Sequence, residues 1–197
     1  MIIAVTSLKG GVGKSTTAML LSMCAAEDGQ EVTLLDGDPE LSAVSWGLEA
    51  KTLPFDVVRG DPDGLTRQAK ELYAAGHTVV IDTPPNAKDV LMSASLASHV
   101  AVVPVSPTAI DVNRLSRTLK ALLDVSTVRP DLHVQILITR FSRGTRLARA
   151  TVDLLAEYPV LPAHVRDLER YKAMGGTVPT YLSEYRNVWT ALKGLGP

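Results

Sequence analysis

This 197-residue chain predicts an α/β fold, a mostly parallel twisted sheet with helices on both faces. Three observations carry that expectation. Apolar segments of strand length alternate with longer stretches of helical period along most of the chain. Most of the short segments are unbroken β-branched runs, as parallel strands buried on both faces require. The first run leads into a glycine-rich loop and then a helical stretch, the order of a βαβ unit.

The strand segments are "IIAVTS" (2–7), "EVTLLD" (31–36), "FDVV" (55–58), "TVVIDT" (78–83), "VAVVPV" (100–105) and "VQILIT" (134–139). Helical period places helices between them at 15–28, ending at Gly29, then 40–48, then 62–75, ending at Gly76. Further helices follow at 86–97, 108–124 and 144–156. After Tyr158 the pattern changes, with prolines, a short helical stretch and a Gly175-Gly176 break before a final helix at about 180–193. No linker, repeat or low-complexity tract interrupts the sequence, so one domain over 1–197 is expected.

Composition narrows the function classes. Hydrophobic residues at 46% and charged residues at 21% match an ordinary soluble globular chain rather than a disordered one. The formal net charge of −1 gives no global pull toward nucleic acid, so any such binding needs a local patch. Cys24 is the only cysteine, which excludes an intrachain disulfide and a CxxC metal site. It sits among Leu20, Leu21, Met23 and Ala25 and reads as a buried structural thiol. No apolar run approaches the ~18–20 residues of a membrane span. "MIIAVTS" has no basic region before its apolar residues, so it reads as a strand rather than a signal peptide, and a reducing cytoplasm is expected.

"SLKGGVGKSTT" (7–17) nearly matches a phosphate-binding loop, Gly, four residues, then Gly-Lys-Ser/Thr. Gly13, Lys14 and Ser15 supply the second half, but the first glycine position is Leu8, followed by a second cation, Lys9. Gly10, Gly11 and Gly13 let backbone N–H groups around Val12 turn toward a phosphate, and the following helix adds its positive end. Lys14 is expected on the β- and γ-phosphates, the Ser15 hydroxyl on Mg²⁺ and Thr16 on an α-phosphate oxygen. Asp82 ends one β-branched strand and Asp36 and Asp38 end another, where ligands gather in an open parallel sheet. A lone aspartate there is usually a helix cap; three beside a GKS loop point to a metal-nucleotide site, a P-loop NTPase.

These residues bring a specific resemblance. "KGGVGKST" (9–16), "LLDGDPE" (34–40), "VVIDTPPN" (79–86) and "VVPVSPTAIDV" (102–112) occur in the order seen in the ParA/MinD family of deviant Walker ATPases. Across nearly its whole length the chain resembles the small plasmid-partition members that lack an N-terminal DNA-reading domain. The resemblance implies ATP and Mg²⁺ as cofactors. It implies that Lys9 reaches across a homodimer formed on ATP binding to the partner's phosphates, offsetting charge like an arginine finger given in trans. It implies that Asp38 positions or polarises the attacking water, Asp36 supports Mg²⁺ through its waters, and Asp82 holds the metal. Thr83 to Asn86 would sense the γ-phosphate. Base recognition would fall to "ITRF" (138–141) and "LPAHVRDL" (161–168), with Arg140, Pro162, Val165 and Arg166 as candidates that equally suit surface or packing roles.

A nucleotide switch needs an output. "TRFSRGTRLARAT" carries Arg140, Arg143, Arg146 and Arg149 without an acidic residue. Spacing of three sets Arg143, Arg146 and Arg149 along one side of a helix, which suits nonspecific contact with DNA phosphates and equally suits a solvated helix face. The resemblance implies nonspecific DNA binding by the ATP dimer, nucleoid association and a small centromere-binding adaptor that stimulates hydrolysis. The rival output is a membrane-associated, MinD-like positioning ATPase. Against it, the terminal segment has Tyr181, Leu182, Tyr185, Val188, Trp189 and Leu192 at helical spacing with only Arg186 and Lys193 as cations, more like a helix docked on its own domain. Iron–sulfur relatives need paired cysteines, and Cys24 lies in the wrong place for that role.

Overall fold

The computed structural model describes residues 1–196, with the side chains of 109–114 left aside. Part of the 102–112 motif therefore lies outside the described side chains. Six strands form one parallel sheet: β1 (Ile2–Val5), β2 (Val32–Asp36), β3 (Asp56–Arg59), β4 (Thr78–Asp82), β5 (Val100–Val105) and β6 (His133–Ile138), in the order β3-β2-β4-β1-β5-β6. All six predicted strands are present. β1, β2, β4 and β5 are buried along their whole length, which is why their runs are apolar without alternation.

Alternate side chains along each strand feed opposite cores. Ile3, Val5, Leu34, Val80 and Leu137 face α1 (Lys14–Glu27), α2 (Ser42–Ala50) and α8 (Ser183–Lys193). Ile2, Ala4, Leu35, Val79 and Ile81 face α3 (Leu65–Ala74) and α4 (Lys88–Ala97). Ala101, Val103, Ile136 and Ile138 pack with α4 and α5 (Ala109–Ser126). Helices thus cover both faces. The chain leaves β1 toward β2 on one side, while β5 closes the other, so the end of β1 is the topological switch point where ligands bind in such sheets.

The two sheet edges are handled differently. β3 is short and largely exposed, with Asp56 and Arg59 at its ends, a charged edge that resists further pairing. Beyond β6, the stretch after Tyr158 runs alongside the sheet. Ile136 N–H donates to the Pro159 carbonyl at 2.8 Å, Leu161 N–H to Ile136 at 2.9 Å and Val165 N–H to Ile138 at 2.9 Å. Isolated parallel bridges, Ile136 to Val160 and Phe141 to Arg166, mark its two ends. Pro159 and Pro162 lack N–H groups and break what would otherwise be a seventh strand.

α6 (Arg146–Leu154) follows β6, capped by the Thr145 hydroxyl, which accepts from Ala148 N–H at 3.2 Å. α7 (Glu169–Lys172) is the short helical stretch expected near the end. The apolar face of α8 is docked on α1, with Tyr185, Val188, Trp189 and Leu192 all buried. Asp28, just past α1, accepts from Trp189 Nε1 at 3.2 Å and Lys193 Nζ at 2.7 Å, closing that interface at its far end. Among the described residues no helix is long and apolar enough to cross a membrane.

Candidate functional site

The loop from Leu8 to Gly13 joins the buried end of β1 to α1 and needs two left-handed residues. Gly11 (φ 74°) and Gly13 (φ 88°) provide them, and Gly13 caps α1 without a side-chain cap, leaving the first N–H groups of the helix facing outward. Leu8 is where the loop is tied down. Its N–H donates to the Thr118 hydroxyl of α5 at 3.1 Å, its carbonyl accepts from Asn86 N–H at 3.2 Å, and its side chain packs against the β5–β6 core. A residue with these attachments replaces the glycine that the simple motif asks for.

Lys14 is nearly buried, and its ammonium donates to the Lys9 carbonyl at 3.3 Å. Burial lowers its pKa, opposed by the negative charges of Asp82 and Asp38. Asp82 lies at the end of β4, in register with both Val5 of β1 and Asp36 of β2. It is fully buried, and among the described residues neither carboxylate oxygen reaches a partner at full hydrogen-bonding geometry. Burial pushes its carboxyl up to about 7; the Ser15 hydroxyl and Lys14 pull it down, while Asp36 and Asp38 add to the rise. An orphaned buried carboxylate beside a loop serine and a lysine is a donor set that suits a hard divalent cation, because the cation restores the ionised form and occupies its lone pairs.

Asp36 is tied to the neighbouring backbone. Its Oδ2 accepts from the N–H groups of Ala43 (2.9 Å) and Val44 (3.0 Å), and its Oδ1 accepts from Asp38 N–H at 3.1 Å. The carboxylate therefore holds the start of α2 and aims the Asp38 loop. Thr83 completes the floor, its hydroxyl donating to the Val5 carbonyl at 3.1 Å and lying 3.1 Å from the Thr6 hydroxyl.

Two adjoining clefts open above this floor. One, about 330 Å³, is lined by Gly10, Gly11, Gly13, Lys14, Ser15, Thr16, Asp38, Pro85 and Arg140. The other, about 230 Å³, takes Val12, Val165, Arg166, Tyr171 and Tyr185 among its walls and shares Gly13, Thr16 and Arg140 with the first. The first is polar and glycine-lined, matching a polyphosphate; the second is flanked by aromatic rings, matching a planar base. Arg140 sits at their junction in a left-handed conformation (φ 51°). The Thr139 hydroxyl before it donates to the Val12 carbonyl at 2.9 Å, binding the end of β6 to the loop.

The structure gathers most of the expected residues and separates a few. Pro162 is exposed and lies outside the walls of both clefts, because its neighbour Leu161 is the residue spent covering β6. Arg166 lines the base-sized cleft but is held by Glu184 and by the Tyr181 hydroxyl. Arg143, Arg146 and Arg149 are all exposed, on and just before α6, and carry no ion pair among the described residues. Trp46 and Tyr171 line the cleft without having stood out in the sequence, where each looks like a core residue, while Leu168 closes the "LPAHVRDL" stretch already singled out. Only the covering of β6 by the 159–166 segment brings Leu168 and Tyr171 alongside the loop.

The chain is similar in sequence and in fold to known proteins. Maintenance of carboxysome distribution protein A from Gloeobacter kilaueensis is 35% identical over 177 residues, covering 87% of this chain and 78% of that protein. The crystal structure of a plasmid partition protein from Borrelia burgdorferi B31 bound to AMPPNP superposes with a TM-score of 0.81 at 20% identity, covering 98% of each chain. Cobyrinic acid a,c-diamide synthase from Mycobacterium smegmatis, solved with an ATP analogue and magnesium, gives 0.75 at 22% identity over 98% of this chain and 93% of that one. The fold is shared with both solved proteins. Residues 3–176, the stretch that builds the loop, the paired acidic strand ends and most of the base-sized cleft, match one family throughout, and the chain belongs to the CobQ/CobB/MinD/ParA nucleotide-binding domain family.

Proposed function

We propose that this chain is a Mg²⁺-dependent ATPase of the ParA partition type, acting as one domain and switching from monomer to homodimer on ATP binding. The observation that carries this reading is that Lys14, Ser15 and Asp38 line one glycine-walled cleft, with the buried Asp82 carboxylate beside Ser15 and Lys14. The relatives lend support in their own names, one distributing carboxysomes and another partitioning a plasmid.

Ser15 and Asp82 would hold Mg²⁺, which supplies charge neutralisation on the phosphates. Lys14 leaves the Lys9 carbonyl to meet the β- and γ-phosphates. Asp38, held in place by Asp36, orients the attacking water, and Lys9 supplies a second cation across the dimer. Val12, Arg140 and Val165 flank the base. Arg143, Arg146 and Arg149 of two protomers form a surface for nonspecific DNA, placing the ATP dimer on the nucleoid within the cytoplasm. A small centromere-binding adaptor stimulates hydrolysis and releases the dimer.

The test is retention on DNA, with dimerisation followed by light scattering, under ATP-Mg²⁺, ADP-Mg²⁺ and no nucleotide. The expected result is an ATP-only dimer that binds DNA. A dimer that floats with anionic vesicles under ATP and ignores DNA would overturn the DNA output in favour of a membrane one.

A further inference from the structure

Two neighbouring residues of α8 reach in different directions. The Tyr185 hydroxyl shares a 3.0 Å hydrogen bond with the Thr17 hydroxyl, two residues beyond Ser15 in α1, and both groups are buried. Glu184 turns toward the base-sized cleft. One of its carboxylate oxygens accepts from Arg166 Nε, and the other accepts from the Tyr171 hydroxyl. Arg166 also donates to the Tyr181 hydroxyl at 3.0 Å. Arg166 and Tyr171 are walls of the cleft, and Glu184 stands directly behind them without lining it.

The protonation states suit this arrangement. Burial pushes the Glu184 carboxyl up, but the hydrogen bonds from Tyr171 and Arg166 outweigh it and hold the group below its usual range. Burial and the adjacent carboxylate push the Tyr171 phenol up, so it stays protonated and donates. Glu184 is therefore an ionised acceptor for two donors whose side chains form one wall. Charge-assisted bonds of this kind fix geometry more firmly than packing alone. Without the carboxylate, the Arg166 guanidinium loses its charged partner and the hydroxyl of the buried Tyr171 loses its acceptor.

We propose that Glu184 is a positioning residue for the nucleobase: it holds Arg166 and Tyr171 as the base wall, and the Tyr185–Thr17 bond sets that wall at a fixed place relative to the phosphate loop. The proposal rests on the nucleotide reading of the two clefts. Glu184 touches no ligand. Its contribution is the difference between binding a nucleotide and binding a bare triphosphate, because Glu184 bonds to the base wall and Tyr185, not Glu184, meets the helix that follows the loop.

Isothermal titration calorimetry with two probes, ATP and inorganic tripolyphosphate, each with Mg²⁺, tests this on the wild-type chain, Glu184→Gln and Tyr171→Phe. Glutamine keeps the shape but removes the charge and one acceptor. ATP affinity is expected to fall about tenfold in Glu184→Gln, with tripolyphosphate affinity unchanged. Tyr171→Phe, which loses only the hydroxyl, should show a smaller fall of the same kind and carries the test if the first variant does not fold. Unchanged ATP affinity, or equal losses for both probes, would overturn the positioning role. A wild-type chain that binds neither probe would overturn the nucleotide reading and this proposal with it, whereas binding of both with no preference for ATP would overturn the base wall alone.

Discussion

The ammonium of Lys14 donates to the backbone carbonyl of Lys9, 3.3 Å away, closing the phosphate loop on itself. The first lysine of the loop thus serves the second through its backbone, which any residue supplies.

That division separates the two lysines experimentally. Lys14→Ala should weaken ATP binding by on the order of a hundredfold, as expected for a lost charge-assisted contact to phosphate. Lys9→Ala keeps the carbonyl, so its ATP affinity should stay within about threefold of wild type while dimer-dependent hydrolysis is lost. Fluorescent-nucleotide titration and phosphate release measure the two. Wild-type turnover in Lys9→Ala would remove Lys9 from the trans role.

Asp82→Asn should trade stability against function. The wild-type carboxyl is raised to about 7 by burial, so between the ordinary aspartate value and 7 the folded chain keeps a proton that the unfolded chain releases. Metal-free stability therefore declines as pH rises through that window. Asparagine is neutral throughout, so in EDTA the variant should be more stable than wild type at pH 8 by on the order of 2–4 kcal/mol, the gap narrowing toward pH 4. Urea melts at the two pH values measure it. The same variant should lose Mg²⁺-dependent hydrolysis.

Leu8→Gly restores the simple loop motif in letters and should harm the protein. It deletes a side chain packed on the β5–β6 core and loosens the point where Thr118 and Asn86 attach. A loss of about 1–3 kcal/mol is expected in denaturant melts, with no gain in nucleotide affinity.

His99 gives a pH response far from the cleft. Its Nδ1 accepts from Ile2 N–H at 2.8 Å, so the ring must be neutral there. Burial, then the N-terminal amine and Arg129, lower its pKa, with Asp131 opposing. The unfolded chain takes up the proton first on acidification. The contribution is full above the unfolded value and is lost as pH falls through the lower folded one. Solvent screening at this half-exposed site keeps it under about 1 kcal/mol. His99→Gln should flatten the melting temperature between pH 7 and 5; an unchanged slope would locate the response elsewhere.

Replacing Arg143, Arg146 and Arg149 together with alanine should cut DNA retention by the ATP dimer about ten- to a hundredfold near 0.1 M salt, with a shallower salt dependence. All three are exposed and away from the clefts, so basal hydrolysis should stay at the wild-type rate. Undiminished retention would put the DNA surface on another face.

The sheet was legible because most of its strands are buried on both faces, and a doubly buried strand such as "TVVID" reads as a short β-branched run that ends at its aspartate. The phosphate loop was legible because its chemistry is local, packed into nine consecutive residues. The base end was legible only in part: Arg140, Val165 and Arg166 line the cleft as their stretches suggest, but its aromatic walls could not be read. Trp46 lies in α2, and Tyr171 and Tyr185 lie 125 and more residues later, joined only by folding. Asp36 shows a subtler limit, since its bonds to the Ala43 and Val44 N–H groups cannot be read from its place at a strand end.

By itself, then, the sequence determined the layer architecture, the phosphate loop and the acidic strand ends, each a matter of periodicity or short-range spacing. Tertiary structure decided which carboxylate is left without a partner, which residue anchors the loop, and what walls the base-sized cleft. Those outcomes depend on contacts between residues far apart in the chain, where burial and hydrogen-bond competition, rather than local pattern, assign each group its role.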